Sequence, residues 1–266
     1  MRKLLLLLCI SLFPLTSGCA ALQQYVGGEE GGRGVTTELV VSGLYDALTV
    51  GSARTVDSTS KQNGFLENPL IKIQLPSQLT GMMNTLRGLG FNQQVDNFVI
   101  QMNRAAEKAS GEALDVLVDT VKGITFQDAW GILNGDQTAA TEYFRARTTA
   151  TLADRFRPIV SGKMRELGVY QVYDILNNAY TALPFTSNVA FDLEAYVVDR
   201  SLNGLFTTLA QEEAKIRSNL NFRSTPALKE VFGYLERERA AGREAQPTSA
   251  SGSSRGGTSL PQGTVK

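Results

Sequence analysis

The sequence predicts an all-α fold: a single multi-helix bundle of about eight helices, with one short extended segment. Three observations predict it. Apolar residues recur every three to four positions over long stretches, as one buried face of a helix requires. Thr, Ser and Asp stand before these stretches, and Gly, Asn-Gly or Pro stands after them, marking helix starts and stops. Convincing alternation occurs once, at Ile71, Ile73 and Leu75 between Pro69 and Pro76, with no partner strand elsewhere. With 42% hydrophobic and 20% charged residues, the chain has the balance of a globular body.

The elements follow in order. Thr36 or Thr37 caps a first helix with Leu39, Gly43, Leu44 and Ala47 on one face, where Gly43 allows a close helix contact. Ala53, Val56 and the small residues after them predict a second, short helix that stops near Asn63-Gly64, with the glycine as left-handed cap. The extended segment from Leu70 to Pro76 is expected to lie across helices. Ser77 caps a helix through Leu86, ended by Gly88 and Gly90. The longest pattern runs from about Gln93 to Lys122. Val95, Phe98, Val99, Met102, Ala106, Ala109, Ala113, Leu117 and Ile124 share its apolar face.

Thr125-Phe126-Gln127-Asp128 resembles a capping box before a short helix with Phe126, Ala129, Trp130 and Leu133 inward. Asp136 is the expected cap of the next helix, which passes Tyr143, Phe144, Leu152 and Phe156, kinks at Pro158 and ends at Gly168. From Val169 to Ala182, Val172, Ile175, Leu176 and Ala179 point inward. Asp192 caps a long helix with Val198, Leu202, Leu205, Phe206, Leu209 and Ile216 as its buried stripe. Thr225-Pro226 opens the last helix, with proline at the favoured first position.

The ends of the chain differ from this body. Arg2 and Lys3 precede an apolar run from Leu4 to Leu15, shorter than the roughly 20 residues that a spanning helix needs. Residues 1–18 read as a signal peptide. Leu15-Thr16-Ser17-Gly18-Cys19 resembles the cleavage site of bacterial lipoproteins, which implies a lipidated, palmitate-bearing Cys19. By the same resemblance, Ala20 in place of Asp implies the outer membrane, facing the periplasm. Residues 19–34 then form a flexible tether, 35–239 the helical domain, and 240–266 a disordered Ser/Gly-rich tail.

Composition narrows the chemistry. There is no His, and of the two Cys one, Cys9, lies in the removed segment and the other is Cys19. Ser-His-Asp and Cys-His pairs and the usual zinc sites are therefore excluded from the mature body. No phosphate-binding glycine loop or calcium loop occurs. No cofactor and no metal are expected. Without Arg2 and Lys3 the 26 basic residues fall to 24, against 26 acidic, a near-neutral body that argues against nucleic acid as partner. The expected partners are the membrane, through acylated Cys19, and an envelope protein or an apolar ligand.

Three groups of polar residues meet the apolar faces. Asn103 and Glu107 stand four apart, with Arg104 three from Glu107. Glu212 and Glu213 straddle the stripe of the long C-terminal helix, with Arg217 four beyond Glu213. Adjacent carboxylates near a core raise each other's pKa, as a general acid needs. The third group is Arg145, Arg147, Arg155 and Arg157 among Tyr143, Phe144 and Phe156, diluted by Glu142 and Asp154. Pairing between helices is the preferred reading of Asn103, Arg104, Glu107, Glu213 and Arg217, with a polar pocket as the alternative. A solvated face is preferred for the arginines, and no catalytic residue is assigned.

Met102-Asn103-Arg104-Ala105-Ala106-Glu107, Ala139-Ala140-Thr141 leading to Tyr143-Phe144, Asn203-Gly204-Leu205-Phe206, and Glu213 with Ile216-Arg217 together resemble one bacterial family, domain-of-unknown-function family 4197 (DUF4197), often found on predicted lipoproteins. Ile73-Gln74-Leu75-Pro76 and Val231-Phe232-Gly233 share the likeness, which spans roughly Val35 to Gly233. It implies an envelope protein with a mostly helical body and supplies no activity. Three functions stay open. The first is a non-enzymatic binding or structural lipoprotein. The second is a carboxylate-dependent peptidoglycan hydrolase or lytic transglycosylase using Glu107 or Glu213. The third is a periplasmic carrier of lipid or another apolar ligand.

Overall fold

In a computed structural model, residues 35–123 and 125–247 are described. Cys19, the leader and tether, Ile124 and the tail beyond 247 lie outside the described residues. The described chain is helical, with nine α-helices, two 3-10 turns and no strand. They are α1 (Thr37–Thr59), α2 (Thr80–Gly88), α3 (Asn92–Gly111), α4 (Ala113–Lys122), α5 (Ala129–Asn134), α6 (Ala139–Glu166), α7 (Val169–Thr181), α8 (Leu193–Ser218) and α9 (Pro226–Ala240). Among the described residues no helix is long and apolar enough to cross a membrane.

The centre of the bundle is α8, laid against α1 and α6. Helix α1 also packs on α9, α4 and α5, while α3 joins α6 to α7, and α2 rests on α7 and α3. The shared core holds Leu44 and Leu48 from α1, Phe98 and Met102 from α3, and Phe144 and Phe156 from α6. From α8 come Leu205, Phe206 and Leu209. Phe144 meets Phe206 edge to face at 5.9 Å. Burying such side chains contributes about 1.5–3 kcal/mol each, and this supplies most of the packing energy.

Several boundaries differ from the sequence reading, for physical reasons. The two expected N-terminal helices are one, α1. Gly51, Ser52 and Thr55 are buried inside it. A Cβ at Gly51 would stand 2.7 Å from Leu209 Cδ1, so these small residues are the close crossing of α1 over α8, not a break. The left-handed residue of the following turn is Asn63 (φ 70°) rather than Gly64. The long helix expected from Gln93 to Lys122 is divided at Gly111 and Glu112 into α3 and α4. Gly111 is the weak point there, because glycine costs a helix about 1 kcal/mol relative to Ala.

Asp128, not Thr125, caps α5, taking the Gly131 N–H at 2.8 Å. Helix α6 begins after Thr138, not at Asp136, and runs unbroken through Pro158 to Glu166. Of the residues expected inside α7, Leu176 is buried but Ile175 is 55% exposed, and Val169 is buried in addition. Thr36, Asp192 and Thr225 each accept a first-turn N–H of the helix that follows.

The segment from Ile71 to Pro76 is extended but pairs with no strand. At its centre, both main-chain groups of Ile73 bond to one side chain. Ile73 donates its N–H to Asn103 Oδ1 at 2.8 Å and accepts from Asn103 Nδ2 at 2.9 Å. The carboxamide thus stands in for the missing strand, satisfying both groups of a fully buried residue.

Candidate functional site

Two buried polar clusters contain all five sequence-predicted body residues. The first hangs on α3. Asn103 and Glu107 lie four apart on one face, so a helix places them one above the other. Both are buried, Glu107 at 3% exposure. Glu107 Oε1 accepts the N–H groups of Phe65 and Leu66 at 3.2 and 3.1 Å. Its other oxygen takes Arg104 Nη1 at 2.6 Å, and Arg104 Nη2 reaches Asn63 Oδ1 at 2.6 Å. One turn of α3 therefore holds both the α1–α2 turn and the extended segment. The held turn in turn plugs Phe65 against Gly204 of α8, where a Cβ would collide with the ring.

The second cluster hangs on α8. The side chains of Glu213 and Arg217 are both fully buried and joined at 2.7 Å. Glu213 also accepts the N–H groups of Ala140 (3.0 Å) and Thr141 (2.7 Å) in the first turn of α6. Those amides have no partner within their own helix, and the positive end of the helix dipole favours a carboxylate there. Arg217 completes the joint by donating to the carbonyls of Leu133 (2.9 Å) and Ile132 (3.1 Å) near the end of α5. Its guanidinium lies 5.3 Å from the Phe232 ring centroid. Burial lowers the Arg217 pKa, and the Glu213 carboxylate opposes this. Glu212 does not share the cluster. It pairs with Lys215 at 2.6 Å, so the two adjacent carboxylates have separate partners.

The four arginines of α6 are dispersed. Arg145 donates to Asn203 Oδ1 and sits over Phe206. Arg147 lies 3.6 Å from the Tyr143 ring centroid. Arg155 reaches Thr120 Oγ1 at 3.1 Å and Asp119 at 3.6 Å, and Arg157 pairs with Glu194 at 3.6 Å. They form no single basic patch. A surface cleft of about 520 Å³ between α4 and α6 is lined by Arg147 and Arg155 with Thr120, Thr148 and Thr151.

Two further joints had no periodic signal in the sequence. Arg223, 1% exposed, donates to the Ile216 and Arg217 carbonyls at the end of α8 and to Glu236. Asn134 holds Ala245 by both main-chain groups, each at 2.8 Å, just as Asn103 holds Ile73. Among the described residues no group of three His, Cys, Asp or Glu is placed to hold a metal ion.

These features define an all-helical protein whose two buried polar clusters are committed to helix ends and turns. The chain belongs to the family described as "Protein of unknown function (DUF4197)", whose profile matches residues 34–233. The motifs that carry the likeness meet in space: Ala140-Thr141 with Glu213 and Arg217, Asn103 with Ile73, Gly204 with the turn held by Glu107. Neither a curated protein nor a solved structure matches the chain.

Proposed function

We propose that this protein is a lipid-anchored lipoprotein of the cell envelope, tied to the outer membrane through acylated Cys19, with a non-enzymatic binding or structural body in the periplasm. One observation supports the non-enzymatic reading above the others. The two carboxylates that a peptidoglycan hydrolase would need, Glu107 and Glu213, are buried, and each is bonded to an arginine and to two main-chain amides. A general acid needs a proton to give and a substrate within reach. Here both carboxylates are buried, and their oxygens are already taken up by an arginine and two amides. A lipid carrier would need a deep apolar cavity. The cleft between α4 and α6 is instead lined by polar side chains, among them Thr120, Gln127, Arg147, Thr151 and Arg155.

The anchor is supported by the Gly18-Cys19 pair closing a short apolar run behind Arg2 and Lys3. A single acyl chain holds a protein only marginally, whereas multiple acylation anchors it stably. Cells grown with radioactive palmitate should yield a labelled product, and mass spectrometry should find Cys19 as its acylated first residue. Cys19→Ser should release the protein from the membrane fraction. An unlabelled wild-type product with unmodified Cys19 overturns the anchor.

A further inference from the structure

A cleft of about 350 Å³ lies where the extended segment crosses α8, lined by Lys72, Gln74, Ser77, Gln78, Tyr196 and Arg200, among others. Its volume is at the lower end of the range that small-molecule sites occupy. Its donors are what distinguish it. No lining residue is acidic. Neither Lys72 nor Arg200 belongs to an ion pair among the described residues.

The geometry of the cleft is fixed from beneath. Tyr196 donates its hydroxyl to the Gln74 carbonyl at 3.0 Å, which ties the extended segment to α8. Arg200, one turn further on, lies over the Tyr196 ring at 5.2 Å from its centroid. Part of the guanidinium also acts on the Tyr196 hydroxyl, and its remaining N–H groups are the ones left to make a forked contact. Burial raises the Tyr196 phenol pKa above its ordinary value, so the ring stays neutral and does not neutralise Arg200 as a phenolate would. The nearest carboxylate in sequence, Asp199, accepts from Asn203 at 3.0 Å. Glu194 is engaged by Tyr170 and Arg157.

From this arrangement we infer that the cleft is a binding site for a phosphate-bearing ligand. The Arg200 fork and the Lys72 ammonium hold the phosphate oxygens, and the amides of Gln74 and Gln78 and the Ser77 hydroxyl hold a small polar substituent. Arginine suits phosphate because two parallel N–H groups match two oxygens, while the lysine acts as a point charge. A bare phosphate fills only part of the volume, so a glycerol- or sugar-sized ester is the better occupant. The chemistry is shared by a soluble phosphate ester and by a phospholipid headgroup. The inference concerns the body alone and does not depend on the acylation of Cys19.

The test uses the protein as cells produce it, in a neutral detergent. Inorganic phosphate, glycerol 3-phosphate and, at matched ionic strength, sodium chloride and acetate are titrated while amide NMR signals are followed. Phosphate and its ester should shift residues 72–78 and 196–200 saturably, and chloride should not. Arg200→Gln and Lys72→Gln, both surface changes checked by thermal melting, should each weaken binding by about tenfold or more. Arg147→Gln removes the other arginine stacked on a tyrosine and should leave binding unchanged. Reconstitution in phosphatidylglycerol vesicles that blocks glycerol 3-phosphate, with no block in phosphatidylcholine, identifies a headgroup. Equal binding in both identifies a soluble ester. No saturable shift, a shift equalled by chloride, or equal weakening by Arg147→Gln overturns the site.

Discussion

Replacing Glu213 by alanine strikes a fully buried joint of the bundle. The change leaves the Arg217 guanidinium buried without its counter-charge and strips the Ala140 and Thr141 amides of their acceptor. Breaking a buried pair by removing one partner costs about 3–5 kcal/mol, most of it from the stranded charge. For a body of this size each kcal/mol moves the melting midpoint by roughly 2–4 °C, so a fall of roughly 6–20 °C is expected. Arg217→Met should cost less, because two amides at the positive end of α6 still solvate the carboxylate. The double change Glu213→Ala with Arg217→Met should cost less than the sum of the two single changes, since it leaves no unpaired charge. Urea unfolding of the four proteins measures this directly. A loss in Glu213→Ala below about 1 kcal/mol, or strictly additive losses, would refute the joint.

Three other outcomes are expected. Gly204→Ala should destabilise, because its Cβ meets the fully buried Phe65 ring and overpacking costs about 1–3 kcal/mol; Gly162→Ala, where a Cβ meets nothing within 4 Å, should stabilise by up to about 1 kcal/mol in the same urea assay. Asn134→Ala should free the segment around Ala245 and speed tryptic cleavage after Arg243, with little change in the melting of the body; unaltered cleavage would count against the clasp. The Lys108 ammonium, 2.7 Å from Glu166, lowers that carboxyl below its ordinary pKa of 4.5. Its stabilising contribution is therefore full above pH 4.5 and lost as the pH falls below it. The gap in melting temperature between wild type and Glu166→Gln should close on acidification through that range.

The helical class was legible because apolar spacing reports burial directly. The stripe Val198, Leu202, Leu205, Phe206, Leu209 and Ile216 is buried as its period requires. Caps at Asp192 and Thr225 were legible because only local chemistry decides them. What failed depended on partners distant in sequence. Gly51 and Ser52 look like a break until Leu209 lies on them. Asp128 and Thr125 compete for one cap, and geometry chooses Asp128. In the polar clusters, spacing alone placed Arg104 near Glu107 and Arg217 near Glu213. It could not show that each carboxylate also serves a turn or helix end dozens of residues away. Arg223 gave no signal, because a lone polar residue in a connection looks the same whether it grips a backbone or faces water, and Asn134 read only as the Asn-Gly end of a short helix.

The most direct measurement exposes purified peptidoglycan to the purified protein and follows released muropeptides by liquid chromatography and mass spectrometry, beside Glu107→Gln and Glu213→Gln proteins. If both carboxylates are structural, no muropeptide is released by any of the three, and the substitutions lower only thermal stability. Release of muropeptides by the wild type that is abolished in either variant while it still melts cooperatively would contradict that assignment and make the lost carboxylate catalytic.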